Sequence, residues 1–243
     1  MKLKEFLKNE ITGWTVFETI WLILSVAVIT SLSIYCGDSP VAIISAVTGV
    51  MYSICAGKGK LCAYIFGVIN CVLYALIAFS ATYYGETMLN IIYYLPMQFV
   101  GFYVWSKNMN PQTHEVEKNH LDKKNRLILF ISIAVLTVIY AYILKPLGDK
   151  LPLIDSFTTI ASVIAMIITV KMCSEQWWIW FAVNLLSVFM ILRQRVFFPH
   201  NTYELLCFVF KWEYITTLSS FFIKVEPLGM ITLFLLCIIT TSS

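Results

Sequence analysis

Two asparagines sit near the middle of apolar stretches, Asn70 and Asn184, 114 positions apart in a chain of 243 residues. A side-chain amide offers donors and acceptors at once. In hydrocarbon it must find a partner or cost free energy. The second asparagine closes the pattern Trp177-x-x-Trp180-x-x-x-Asn184. On a helix those positions fall within about 60° of one another and share a face. Indoles beside an amide make a cradle for a flat ring: the rings stack, the amide reads polar edges. Trp178 points elsewhere and suits an interfacial aromatic belt, a role open to Trp177 as well. Asn184 could instead tie two helices together.

The surroundings repeat. Tyr64-x-Phe66-Gly67-x-x-Asn70 aligns without a gap on Trp178-x-Trp180-Phe181-x-x-Asn184. Where the second copy has Trp177, Trp180 and Asn184, the first has Ala63, Phe66 and Asn70. A site built from both is lopsided, as an asymmetric ligand requires. A third polar face reads Asn90-x-x-x-Tyr94-x-Pro96-Met97-Gln98-x-x-Gly101-x-x-x-Trp105. Asn90, Tyr94, Gly101 and Trp105 cluster within about 60°, with Gln98 slightly further round. Gln98 is costly in lipid and must face protein or a cavity. Pro96 frees a carbonyl and bends its helix, as a static kink or a hinge.

These residues need apolar helices to position them. The chain is 59% hydrophobic and 13% charged, against about 25% charged for soluble domains. Its mean hydropathy is +0.80. The runs are too long and continuous for a transmembrane barrel, whose segments alternate over about ten residues. Eight helices are expected, at 14–36, 40–56, 61–81, 88–105, 127–144, 153–170, 176–192 and 203–223. Gly37-Asp38-Ser39-Pro40 supplies a cap and a first-turn proline. Gly57-Lys58-Gly59-Lys60 makes a tight turn, Lys145-Pro146-Leu147-Gly148 and Pro152 bracket another, and 106–126 is a long polar loop. The basic opening is followed by an uncleaved first span rather than a signal peptide. The run after Pro227 is too short to span and reads as an apolar tail.

Lysine and arginine set the orientation. With the N-terminus inside, twelve lie on the cytoplasmic side: Lys2, Lys4, Lys8, Lys58, Lys60, Lys107, Lys118, Lys123, Lys124, Arg126, Lys171 and Lys224. Four lie outside: Lys145, Lys150, Arg193 and Arg195. The offset of 114 residues makes helices two to four and six to eight parallel repeats, with the fifth helix restoring direction between them. The fold expected is an all-α polytopic membrane protein. Its parts are a tail and extra helix (1–36), a first three-helix bundle (37–105), a loop and linking transmembrane helix (106–152), a second three-helix bundle (153–226) and the tail (227–243).

No catalytic, metal or cofactor motif is present, and nothing points to a nucleic-acid partner. His114, His120 and His200 are scattered, and seven cysteines without a C-x-x-C pair read as packing residues. Acidic residues in the spans have bland readings: Glu18 near a helix end, Asp155 as a cap, Glu213 beside Lys211. No central carboxylate that would indicate ion coupling is recognisable.

The residues Tyr64, Phe66-Gly67, Asn70, Tyr74-Ala75, Tyr84-Gly85, Asn90, Tyr94, Pro96, Gln98, Gly101 and Trp105, with the W-x-x-W-x-x-x-N motif at 177–184, resemble the PnuC family of nicotinamide riboside transporters. The resemblance covers most of residues 20–192. It implies a duplicated three-helix fold related to the SWEET sugar transporters, and facilitated diffusion followed by trapping of the nucleoside through phosphorylation. It also implies a bacterial inner membrane with its lipid as surroundings, and a homotrimer. By the same resemblance the ligand-binding role falls on Trp177, Trp180 and Asn184, then on Asn70 and Gln98; the repeat and the face of helix four add Phe66, Tyr94 and Asn90 as candidate binding residues. After Arg193 the chain departs from the family: the last helix lacks counterparts of the proline, glutamine and tryptophan of helix four. Rival readings keep the fold but exchange the cargo for thiamine or riboflavin, or make the asparagines helix-helix glue in a non-transporting membrane subunit.

Overall fold

The computed structural model describes residues 3–147 and 151–197. The expected helix at 203–223, with Lys211 and Glu213, and the tail after Pro227 lie outside the described residues, as does His200.

The described chain is nearly all helical. The helices are α1 (Leu3–Ile11), α2 (Val16–Tyr35), α3 (Pro40–Lys58), α4 (Cys62–Ser80), α5 (Tyr84–Met88), α6 (Leu95–Lys107), α7 (Lys123–Leu144), α8 (Pro152–Val170) and α9 (Gln176–Phe197). A π-helical turn, Leu89–Tyr94, joins α5 to α6, so 84–107 is one continuous rod. Five helices, α2, α3, α4, α7 and α8, are long and apolar enough to cross a membrane. Their outward faces agree: Ile20, Ile23 and Leu24 on α2 and Phe130, Ile131 and Val135 on α7 are exposed apolar side chains. This is a multi-pass membrane protein.

Local chemistry sets the ends. Thr15 and Glu18 form a reciprocal capping box at the start of α2. Ser39 Oγ accepts from the Ala42 N–H and Pro40 opens α3. Gly59, at φ 86°, ends α3 in the left-handed conformation that glycine tolerates. The expected first helix at 14–36 proves to be preceded by a separate amphipathic helix, α1. Helix four begins at Tyr84 rather than 88. Asp155 does not cap α8; Leu151 holds that position and Asp155 lies in the first turn.

The core is packed with small residues. The buried face of α3 carries Ala42, Ser45, Ala46, Gly49, Ser53, Ala56 and Gly57, which lets α4 approach closely. At the lysine-rich end Tyr64, Trp105, Leu61, Val116, Met166 and Val170 form one apolar cluster that joins the two halves of the chain. Trp105 Nε1 donates to the Thr169 carbonyl at 3.2 Å, and the Tyr93 hydroxyl to the Val163 carbonyl at 2.6 Å. Tyr52 and Met166, 114 positions apart, meet with Oη 3.9 Å from Sδ.

The polar loop is an ordered strap across that end. Val116 N–H donates to the Gly59 carbonyl at 3.0 Å, and Lys118 Nζ donates to Gly57. Further on, Asn119 N–H donates to Met172 and the Asn119 carbonyl accepts from Ser174, both at 2.9 Å. Glu175 Oε1 then accepts from Leu121 N–H at 3.1 Å and from Arg126 at 2.8 Å. Lys60 lies inside the fold with no exposed surface. Its ammonium donates to the carbonyls of Asn9 (3.2 Å), Thr12 (2.7 Å) and His114 (3.3 Å), with Glu115 at 3.5 Å.

Candidate functional site

A cavity of about 250 Å³ opens between the halves. One wall comes from α4 and the 84–107 rod: Gly67, Asn70, Cys71 and Tyr74, then Glu86, Leu89, Asn90, Tyr94 and Gln98. The other comes from α8 and α9: Thr158, Thr159, Ser162 and Met166, then Trp180, Val183, Asn184 and Ser187. Tyr52 of α3 closes the lysine-rich end.

The π turn explains one wall. In an α-helix residues four apart drift by about 40° per step. The wider π turn winds more slowly and takes back that drift. Glu86, Asn90, Tyr94 and Gln98, each four apart, therefore stay on one face of the rod and line the cavity. The Leu95 N–H bonds back to the Asn90 carbonyl, five residues earlier. Pro96 has no N–H to give, and its ring crowds the carbonyl four residues back. The irregularity expected at Pro96 is thus a π turn ending just before it. Gly101 and Trp105 leave the cavity and face Tyr64 in the apolar cluster.

Gln98 is 4% exposed, and its Nε2 lies 3.8 Å from Cys71 Sγ. Its Oε1 has no hydrogen-bond partner among the described residues. Buried polar atoms are nearly always paired, so an orphan on a cavity wall points to a guest that supplies the donor. A Cβ at Gly67 would lie 2.3 Å from that oxygen, so only glycine leaves room for this amide. Asn70 Nδ2 donates to the Ser45 carbonyl at 2.8 Å, with Ser45 Oγ at 3.3 Å. Asn70 therefore ties α4 to α3 and borders the cavity too. Asn90 Nδ2 donates to the Glu86 carbonyl at 2.9 Å.

Of the residues singled out in the sequence, the structure brings Asn70, Asn90, Tyr94, Gln98, Trp180 and Asn184 to one cavity. Two are elsewhere. Phe66 packs against the apolar cluster. Trp177 is half-buried a turn before Trp180, outside the lining, with its Nε1 buried and unpaired among the described residues. Trp178 is 64% exposed, as a belt residue would be. Sequence reasoning missed the hydroxyls of Thr158, Thr159 and Ser162. It also missed Glu86, a carboxylate on the cavity lining but away from its centre. Stepping the Asn90, Tyr94, Gln98 spacing back by four would have found it.

A larger, shallower groove of about 490 Å³ lies between α1 and the strap, lined by Glu5, Lys8, Asn9, Thr12, Gln112 and His114. It has no indole, phenol or phenyl ring and no buried amide. The inner cavity is the better candidate for recognising an organic ligand.

The family model described as nicotinamide mononucleotide transporter matches residues 39–219. The chain is 36% identical over 180 residues to a nicotinamide riboside transporter PnuC of Neisseria mucosa, covering 72% of this chain and 68% of that one. It is 32% identical over 193 residues to one of Haemophilus influenzae, covering 78% and 85%. A crystal structure of the vitamin B3 transporter PnuC superposes with a TM-score of 0.73 at 30% identity, covering 90% of this chain and 97% of that chain.

Proposed function

We propose a cargo from one premise: the chain belongs to the nicotinamide mononucleotide transporter family, whose PnuC relatives are named for nicotinamide riboside. The cargo is nicotinamide riboside, and the mode is facilitated diffusion. The two names differ by a phosphate, and the cavity favours the riboside. Phosphate sites are built from arginine, lysine or converging backbone N–H groups. The described lining holds no arginine or lysine, and its one charged side chain is the Glu86 carboxylate.

The carrying observation is the set of amides around a single indole. Asn70, Gln98 and Asn184 lie at similar depth, eight, nine and eight residues from the lysine-rich ends of their helices. Trp180 stacks on the pyridinium, whose positive charge suits an indole face. The amides and the α8 hydroxyls meet the carboxamide and the ribose. About 250 Å³ lies below the roughly 300–1,000 Å³ typical of ligand pockets. That supports a nucleoside with a single-ring base over a tricyclic flavin. The helix-glue reading accounts for Asn70 and its bond to Ser45. It leaves the Gln98 oxygen and the cavity unexplained.

Alternating access follows from two like-directed bundles moving about a fixed site. Support comes from Tyr52 and Met166, repeat equivalents that meet between the halves, as residues near a pseudo-twofold axis would. The strap further binds the turns 57–60 and 171–174, also 114 apart, at the lysine-rich end, which we place in the cytoplasm. The test is uptake of labelled riboside into proteoliposomes. Saturable uptake that collapses in Trp180→Ala with Asn184→Ala supports the site; unchanged uptake overturns it.

A further inference from the structure

Glu86 stands apart from the groups that would hold the ring. It lies in the first turn of the 84–107 rod, whose start follows the end of α4. Since α4 begins beside the Lys58 and Lys60 turn, Glu86 lies at the opposite end of the cavity. Twelve residues of rod separate it from Gln98, a rise of up to about 18 Å. It lines the cavity and is exposed. It is the one charged side chain among the described lining residues. No hydrogen bond or ion pair from a described residue reaches its carboxylate. Its backbone is fixed by the bond from Asn90, so the side chain is held at the mouth.

We propose that Glu86 makes the mouth opposite the strap an electrostatic filter, drawing pyridinium cations into the cavity and repelling anionic relatives that carry a phosphate or a ring carboxylate. This deepens the cargo reading above and rests on it. A cleft lined by one sign of charge between low-dielectric walls focuses its field and raises the local concentration of the opposite charge. A carboxylate at the mouth thus acts on entry, leaving the deeper amides and indole to hold the ring.

Two measurements test it. The first is proteoliposome uptake of labelled nicotinamide riboside below saturation, in wild type, Glu86→Gln and Glu86→Lys, at low and high salt. The expected result is a loss of about threefold to tenfold in Glu86→Gln at low salt, a larger loss in Glu86→Lys, and convergence of all three at high salt. Equal uptake in all three at low salt overturns the filter. So does a loss in Glu86→Gln that high salt leaves unchanged, which marks a structural role. The second measurement does not depend on the cargo. Cys71 lines the cavity below the mouth, and its peptide reports modification by thiosulfonates bearing either a trimethylammonium or a sulfonate group. The filter predicts that the cationic reagent reacts faster in wild type and that Glu86→Gln narrows the ratio at least threefold. Equal rates, or no modification of Cys71 by either reagent, overturn it. A wild type without saturable riboside uptake but with the charge-dependent ratio at Cys71 defeats the cargo and keeps the filter.

Discussion

The two walls of the cavity are made differently. On the α8 and α9 side, regular helices present hydroxyls, one indole and one amide, with Trp180 at the edge of the cluster around Ile133, Ala161 and Val183. On the α4 side, the amide of Gln98 is wedged over a missing Cβ at Gly67, and the rod that carries it changes winding between Leu89 and Tyr94. Position on one wall is a matter of side-chain choice; on the other it is a matter of backbone. Substitutions should therefore act differently on the two. On the regular wall they should remove a ligand contact and spare the fold. On the wedged wall they should disturb both.

The largest effect is expected on the regular wall. Trp180→Ala with Asn184→Ala should lower riboside uptake at low concentration on the order of 100-fold, from a lost stack of about 1–3 kcal/mol and a lost hydrogen bond of about 1 kcal/mol. The melting temperature in detergent should fall by less than for a fully buried ring, because Trp180 is only half-buried at the edge of its cluster. A large fall in melting temperature with it would erase the contrast between the walls. Next comes Gly67→Ala on the wedged wall. The new methyl collides with Gln98, an over-packing cost of about 1–3 kcal/mol, so titration should show about tenfold weaker riboside binding together with a lower melting temperature. Adding Gln98→Ala should recover part of that stability, a non-additivity that marks direct contact.

Gly101→Ala sharpens the same contrast. Its Cβ would lie 2.2 Å from the Tyr64 ring, off the cavity. The melting temperature should fall by a similar over-packing cost, about 1–3 kcal/mol, with riboside affinity within about twofold of wild type. A tenfold loss of affinity would mean that the wedged wall extends to the apolar cluster.

The smallest effect lies outside both walls, at Glu175. Burial raises its carboxyl, but hydrogen bonds from its own backbone, the Arg126 guanidinium and the Leu121 N–H outweigh that and hold it below the ordinary carboxylate range. A lowered folded-state value stabilises the protein above the unfolded value of about 4.3, and that stability is lost as pH falls through the folded one. Melting temperature between pH 7 and pH 3.5 should therefore drop less steeply in Arg126→Gln than in wild type. Parallel curves would remove the pair from the strap's attachment.

Much of the architecture was legible because it depends on local rules. Ser39-Pro40 announced a helix start, Gly59 a helix end, and the apolar runs gave the spans. Asn70, Gln98 and Asn184 stood out because amides are expensive in hydrocarbon. What stayed hidden depended on winding or on long-range packing. Glu86 falls beside an apparent span boundary, and only the π turn carries its face into the cavity. Thr158, Thr159 and Ser162 look like ordinary packing residues until α8 is set against α4. Phe66 and Trp177 share the period of the motif but not its destination, because one meets the apolar cluster and the other lies a turn short of the cavity. The strap was invisible as structure, since three of its bonds, at Val116 and Asn119, run from backbone to backbone and leave little trace in side-chain types.

The buried ammonium of Lys60 sets a rule for anyone dissecting the chain. Its oxygen partners are the carbonyls of residues 9, 12 and 114 and the Glu115 carboxylate, from stretches that flank or interrupt the transmembrane repeats. Trimming the leading helix to isolate a minimal carrier, or shortening the central loop to aid crystallisation, would strand a cation amid apolar neighbours. The smallest piece that keeps that charge neutralised runs from the amphipathic leader through the loop, so peripheral-looking segments are the wrong place to cut.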